Sequence, residues 1–228
     1  MYQHVTHIIF DMDGLLLNTE ELYTIAFQNM CRPHGKSYTW DIKIKCMGKK
    51  AQDGARYVID ALDLPLTVDQ WMEQLHDQLE SLFTQAKLMP GAEKLISHLK
   101  SHNVPMGICS GSTREGYLAK TTHHRETFSI FSPVVLCGSD EDVKQSKPHP
   151  DPYNVARSRF DPVPSAGSIL VFEDSPNGVE SGIAADMQVV MVPDPNIPHD
   201  LTTKSTLVLN SLEEFKPELF GLPPYQQS

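Results

Sequence analysis

The run Ile169-Leu170-Val171-Phe172 belongs to a series of short apolar runs that alternate with helical patterns, and that alternation constrains the fold most. The others are His7 to Phe10, Met106-Gly107-Ile108-Cys109, Val134 to Cys137 and Val189 to Val192, with Thr206 to Leu209 as a last run at an edge. Four or five apolar residues bounded by turn signals read as strands buried on both faces. Between them, Ala92, Leu95, Ile96 and Leu99 line one helix. Pro152 stands in the first turn of a second, behind Asp151 as N-cap, and Val179, Ile183 and Ala184 lie on a third. Strand–helix alternation of this kind predicts a parallel α/β sheet with helices on both faces.

One stretch breaks the alternation, since residues from about 18 to 88 read as helices only. Asn18 or Thr19 can cap a helix with Glu20 and Glu21 in its first turn, where the helix dipole favours acids. Its face is Tyr23, Ala26, Phe27 and Met30, and it ends near Pro33-His34-Gly35. A second helix spans Ala51 to Leu62, with Ala55, Val58, Ile59 and Leu62 in register. A third starts at Thr67, which has capping-box spacing to Gln70, and carries the stripe Trp71, Leu75, Leu79 and Leu82. Pro90-Gly91 marks the return to the sheet. The expected organisation is a core of residues 1–17 and 90–228 with a helical domain, 18–89, inserted after the first strand. The tail from Pro217 to Ser228 is expected to be loosely attached.

In a parallel sheet, ligands bind beyond the carboxyl ends of the strands, so the residues there matter most. The first strand ends in Asp11-Met12-Asp13-Gly14. Two carboxylates two residues apart in extended chain face the same side and repel unless a cation or a shared proton intervenes. Gly14 frees the chain to turn away. Met106–Cys109 is followed by Ser110-Gly111-Ser112, a small hydroxyl turn whose backbone N–H groups can hold an oxyanion. Ile169–Phe172 is followed by Glu173-Asp174 and the helix start Ser175-Pro176. Between them lies Lys147-Pro148-His149-Pro150-Asp151-Pro152, where alternate prolines are expected to hold the backbone extended and fix Lys147. Taken singly, each is an ordinary turn or helix start. Together they describe carboxylates for a hard divalent cation and a lysine facing an oxyanion.

Composition narrows the partner. A formal net charge of −10 argues against a nucleic-acid polymer or an anionic membrane surface, and leaves room for a small anionic metabolite if positive charge is concentrated locally. No apolar run approaches the roughly 18–20 residues of a membrane span, and the N-terminus lacks a signal-peptide pattern. Cys31, Cys46, Cys109 and Cys137 are scattered, as expected of reduced thiols in a cytoplasmic protein.

The order D-x-D-G, strand-end Ser, Lys-Pro and Glu-Asp-Ser-x-x-Gly resembles the haloacid dehalogenase-like hydrolases, in their phosphatase branch, across almost the whole chain. That resemblance implies a Rossmann-like parallel core with an all-helical cap domain. It implies Asp11 as nucleophile, Asp13 as general acid and base, and Ser110, Gly111, Ser112 and Lys147 as phosphate-binding groups. Mg²⁺ is then expected on Asp11, Asp13 (through its carbonyl) and Asp174, with Glu173 in or just behind that set. Lys49 and Lys50 in the insert are candidates for substrate contact. The implied partner is a small phosphorylated metabolite, acted on by a monomer. Asn18 replaces a usual acid at the cap hinge, Ser146 a common glycine, and Asp186 a glycine that often ends the helix after the fourth motif. A second aspartate favours phosphoryl chemistry over dehalogenation, which needs neither metal nor proton for a halide. A phosphotransferase of the β-phosphoglucomutase kind shares these motifs, and a binding protein on the same scaffold is the third alternative.

Overall fold

Among the described residues, which are 2–46 and 51–226 of a computed structural model, six strands lie parallel. They are β1 (His7–Phe10), β2 (Met106–Ser110), β3 (Val134–Leu136), β4 (Ile169–Glu173), β5 (Gln188–Met191) and β6 (Leu207–Val208), in the order β3-β2-β1-β4-β5-β6. The chain runs outward to one side of β1 through β2 and β3, then to the other through β4, β5 and β6. The switch point therefore lies between β1 and β4, where such sheets bind ligands. Phe10 pairs with Phe172 and also with Ile108, which brings the ends of β2, β1 and β4 to one level.

Period-two alternation sorts the buried residues onto two faces. Ile9, Cys109, Val135, Val171 and Val189 share one cluster with Tyr153 and Phe160. On the other face Phe10 stacks on Phe172 at 5.0 Å, Phe172 meets Phe215 edge-on at 4.8 Å, and Phe215 stacks on Phe220. The helices of this unit are α5 (Ala92–Ser101), α6 (Arg114–Lys120), α7 (Arg125–Phe128), α8 (Asp151–Ser158) and α9 (Pro176–Ala184), following four in the other unit. Helix α9 packs through Gly178, Val179, Ser181 and Gly182, while Ile183 and Ala184 face solvent. The small residues set that face, because a Cβ on Gly182 would lie 2.7 Å from Val189. Asp186 takes a left-handed φ of 60°, as an aspartate in a glycine position can.

The chain forms two compact units, Met1–Asn18 with Lys87–Ser228, and Thr19–Ala86. The second is helical: α1 (Thr19–Cys31), α2 (Trp40–Cys46), α3 (Ala51–Leu62) and α4 (Val68–Phe83). Buried Trp71 sits edge-on to Phe27, which also meets Tyr38. The α4 capping box is complete, with Thr67 and Gln70 exchanging backbone and side-chain hydrogen bonds. Its stripe continues to Phe83, four residues after Leu79, and Leu82 is only half-buried. On α1 the buried positions are Thr19, Leu22, Ala26, Met30 and Cys31, with Tyr23 and Phe27 half-buried at the margin. Where the chain leaves and re-enters the sheet unit, Leu17 bridges Leu88 antiparallel and Asn18 accepts the Lys87 N–H at 2.8 Å.

Three local expectations are corrected. The proline-rich loop turns and is not extended, with Pro150 in helical backbone at ψ −11°. Asp151 is the first residue of α8, and its carboxylate accepts the Lys144 and Gln145 N–H groups of the preceding loop. The tail is not loose as far as Leu222. Phe220 is fully buried, Leu222 is buried, and the Phe220 carbonyl accepts the Val5 N–H at 2.9 Å. Phe220→Ala should therefore lower stability by about 3 kcal/mol in urea unfolding. A loss below about 0.5 kcal/mol, as for an exposed residue, would contradict that anchoring.

Candidate active site

The carboxyl ends of β1, β2 and β4 supply the site, and a tight turn shapes its centre. Gly14 has a φ of 82°, and its N–H reaches the Leu17 carbonyl at 2.9 Å. That turn carries the chain off the sheet immediately after Asp11 and Asp13. Asp11 is buried beside the end of β4, and its N–H donates to the Phe172 carbonyl.

Lys147 is the hub of one ionic cluster. Its Nζ donates to Asp11 Oδ1 at 2.7 Å, Glu173 Oε1 at 2.6 Å and the Cys109 carbonyl at 2.8 Å, and lies 4.9 Å from the Tyr153 ring centre. Burial opposes charge on this amine, but Asp11 and Glu173 outweigh it and hold the ammonium pKa well above its ordinary value. Burial pushes the Asp11 carboxyl up to about 8, helped by Glu173 and Asp13 and opposed by Lys147. One lysine is not enough for the negative charge gathered here.

Glu173 is fully buried, and both its oxygens are engaged. Oε1 accepts from Lys147 and from the Tyr153 hydroxyl at 2.6 Å, while Oε2 accepts from the Asp174 and Ser175 N–H groups and the Ser175 hydroxyl. Gly178 makes room for it, since a Cβ there would fall 1.8 Å from the carboxylate carbon. Among the described residues, Asp11, Glu173 and Asp174 each offer an oxygen within 4.8 Å of the others. Three hard oxygen donors crowded together around a carboxyl that resists ionisation fit a hard divalent cation.

A second cluster surrounds Asp13. Its Oδ2 accepts from Ser110 Oγ at 2.9 Å and Ser112 Oγ at 2.8 Å, and its Oδ1 accepts from Lys120 Nζ at 2.5 Å. The Ser112 N–H turns onto Ser110 Oγ at 3.1 Å. Thus Asp11, Asp13, Ser110, Gly111, Ser112, Lys147, Glu173 and Asp174 are grouped at one end of the sheet. Lys49 and Lys50 lie outside the described residues. Lys120 and Tyr153 were not expected from the motifs. Tyr153 had one available signal, an aromatic in the first turn of the helix that follows Lys147.

The chain as a whole matches known proteins. The family model for haloacid dehalogenase-like hydrolases matches residues 8–192. The chain is 45% identical over 221 residues to a "Probable pseudouridine-5'-phosphatase" of Drosophila melanogaster, covering 97% of this chain and 96% of the relative. It is 41% identical over 227 residues to "(DL)-glycerol-3-phosphatase 2" of Arabidopsis thaliana, covering 98% and 94%. In fold it matches a haloacid dehalogenase-family hydrolase from Deinococcus radiodurans solved with bound phosphate and sodium, at TM-score 0.80 and 23% identity, covering 97% of this chain and 99% of that one. The chain belongs to the haloacid dehalogenase-like hydrolases. Within them it is an enzyme of the phosphatase kind.

The raised Asp11 carboxyl gives a test of the cation site. Near pH 7 a group with a pKa of about 8 is mostly protonated, whereas a metal ligand must be the carboxylate. Binding of Mg²⁺ should then release roughly one proton at pH 7, and affinity should climb as pH rises towards 8 and level off above it. Calorimetry in buffers of different ionisation enthalpy measures the release. If Asp11→Asn leaves the proton count unchanged, the titrating group lies elsewhere.

Proposed function

We propose that the chain is a Mg²⁺-dependent phosphomonoesterase that works through an aspartyl-phosphate on Asp11, with pseudouridine 5'-phosphate as its leading substrate. The observation that carries the mechanism is the pairing of Asp11 with Lys147 beside Glu173 and Asp174, while Asp13 stands in its own ring of donors. Asp11, Asp174 and the Asp13 carbonyl would hold the cation, with Glu173 behind them as the group that seats Lys147. When bound, Mg²⁺ supplies neutralisation of the negative charge between the nucleophile and the phosphoryl oxygens.

Phosphate-monoester hydrolysis is slow enough uncatalysed to ask on the order of 20 kcal/mol of the site. Covalent catalysis divides that demand into two steps. In the first, an Asp11 oxygen bonds to phosphorus as the ester P–O bond breaks, and Asp13 protonates the leaving oxygen. In the second, Asp13 takes a proton from water, whose oxygen bonds to phosphorus as the Asp11–phosphorus bond breaks. Lys147 and the Ser110 hydroxyl bind phosphoryl oxygens, assisted by backbone at Gly111 and Ser112. The helical unit would serve as the cap domain, with Lys49 and Lys50 as its substrate-contact candidates. Four cysteines outside any disulfide among the described residues are in keeping with a reducing, cytoplasmic setting.

The 45% identity to the fly relative supports pseudouridine 5'-phosphate, and a yeast relative of 33% identity carries a similar name. A second reading, a polyol phosphatase, is supported by the 41% identity to the glycerol-3-phosphatase.

Asp11→Asn should lower turnover more than about a thousandfold, and chelation of Mg²⁺ should abolish it. Retained activity in either case would defeat the mechanism. For the substrate, kcat/KM for pseudouridine 5'-phosphate should exceed that for uridine 5'-phosphate and glycerol 3-phosphate by at least about tenfold. Superior turnover of glycerol 3-phosphate would select the second reading, and isomerised sugar phosphate in place of free phosphate would identify a mutase.

A further inference from the structure

We infer that Lys120 is a positioning residue for Asp13. Its ammonium pins one oxygen of that carboxyl so that the other faces the leaving group, and so it governs how well poor leaving groups are expelled. The inference rests on the acid–base role proposed above for Asp13.

Lys120 is the last residue of α6, a seven-residue helix, where a lysine ordinarily extends into water. Instead its side chain is 2% exposed and its Nζ reaches back 107 residues to Asp13 Oδ1 at 2.5 Å. The same Nζ donates to Ser112 Oγ at 2.8 Å, and Ser112 Oγ donates to Asp13 Oδ2 at 2.8 Å. Lys120, Ser112 and Asp13 therefore close a small ring, and Ser110 adds a further donor to Oδ2.

The two carboxyl oxygens are held by groups of different kinds. A serine hydroxyl has one proton to give. When Ser110 or Ser112 turns that proton onto a phosphoryl oxygen, it withdraws it from Oδ2. An ammonium has three protons and a full charge, and a buried one has no water to replace its partner. Arrival of the phosphoryl group thus draws the two hydroxyl protons away from Oδ2 and leaves Oδ1 pinned. Oδ2, on a side chain that is 19% exposed, then takes up a proton from solvent and gives it to the leaving oxygen, which keeps the electron pair of the broken P–O bond. Without Lys120 the carboxyl can turn about its terminal torsion, which is broad and nearly two-fold, and lose its aim. Misplacement of this kind is costly when reacting atoms must sit within hydrogen-bond reach.

The test compares an alkyl phosphate with p-nitrophenyl phosphate, whose phenolate departs without needing a proton, at saturating Mg²⁺. The ratio is read in kcat/KM for wild type, Lys120→Met, Asp13→Asn and the double variant. Lys120→Met should lose about tenfold or more on the alkyl ester and less than about threefold on the aryl ester. In the Asp13→Asn background the lysine substitution should cost nothing further, because its effect passes through Asp13. Equal losses on both esters, or a full additional loss without Asp13, would overturn the inference and make Lys120 a structural or phosphate-binding residue. If Lys120→Met does not fold, Lys120→Gln keeps a neutral donor of similar length and is read by the same ratio. Failure of the phosphatase mechanism shows separately, as absence of turnover in wild type or its survival in Asp11→Asn.

Discussion

Four carboxylates, Asp11, Asp13, Glu173 and Asp174, are collected at the ends of adjacent parallel strands, and relieving their repulsion organises the site around them. Two lysines, buried Lys120 and half-buried Lys147, do this in separate territories. Lys147 takes Asp11 and Glu173, and Lys120 takes Asp13. The division matters because the proposed mechanism gives the two aspartates different tasks. A nucleophile must stay ionised and fixed, whereas an acid must exchange a proton and keep its direction. One shared ammonium could not meet both needs.

The same constraint reaches into parts of the chain that never approach a substrate. Glu173 can hold Lys147 because Tyr153 and the Ser175 turn saturate its oxygens, and it can be buried there because Gly178 leaves it space. An Ala at 178 would have to displace a buried carboxylate hydrogen-bonded on all sides, so the glycine is part of the ionic network. The β1–β4 register extends this rigidity. Phe10 and Phe172 pair and stack, and the residues next after them, Asp11 and Glu173, emerge side by side for Lys147 to bridge.

What the sequence disclosed depended on how local each signal was. The sheet could be read because each strand is a short apolar run between turn residues, and the Thr67–Gln70 box because capping acts over three residues. Asp11, Lys147 and Glu173-Asp174 were readable as motifs, since each sits at the junction of a strand or a proline with a turn. Lys120 was not. Its meaning arises from a contact 107 residues away, and a lysine in a short helix carries no mark of burial. The tail misled for a related reason. Its prolines suggest loose chain, but Phe220 is held by Phe215 and the Val5 N–H, neither of which periodicity can bring near it. Leu82 and Phe83 exchanged places because both are apolar and only the exact helical phase separates them.

Charge explains how an acidic chain can accept an anion. A formal net charge of −10 opposes a phosphomonoester, but at physiological ionic strength exposed charges are screened beyond about 8 Å. Inside that radius the incoming group meets the local balance. Fully ionised, the four carboxylates would outweigh the two ammoniums by two formal charges, and a divalent cation would offset that excess in place of the proton that Asp11 otherwise holds. With the proposed cation in place the centre would be near neutral, and the cation's charge would offset the burial that raises the Asp11 carboxyl. Cation and anionic substrate are therefore coupled in order. In the proposed mechanism, the site without the cation would repel the phosphoryl group and keep its nucleophile protonated. With it, both obstacles would go together, and a strongly acidic protein would present a phosphoryl dianion with a neutral, donor-lined end of a sheet.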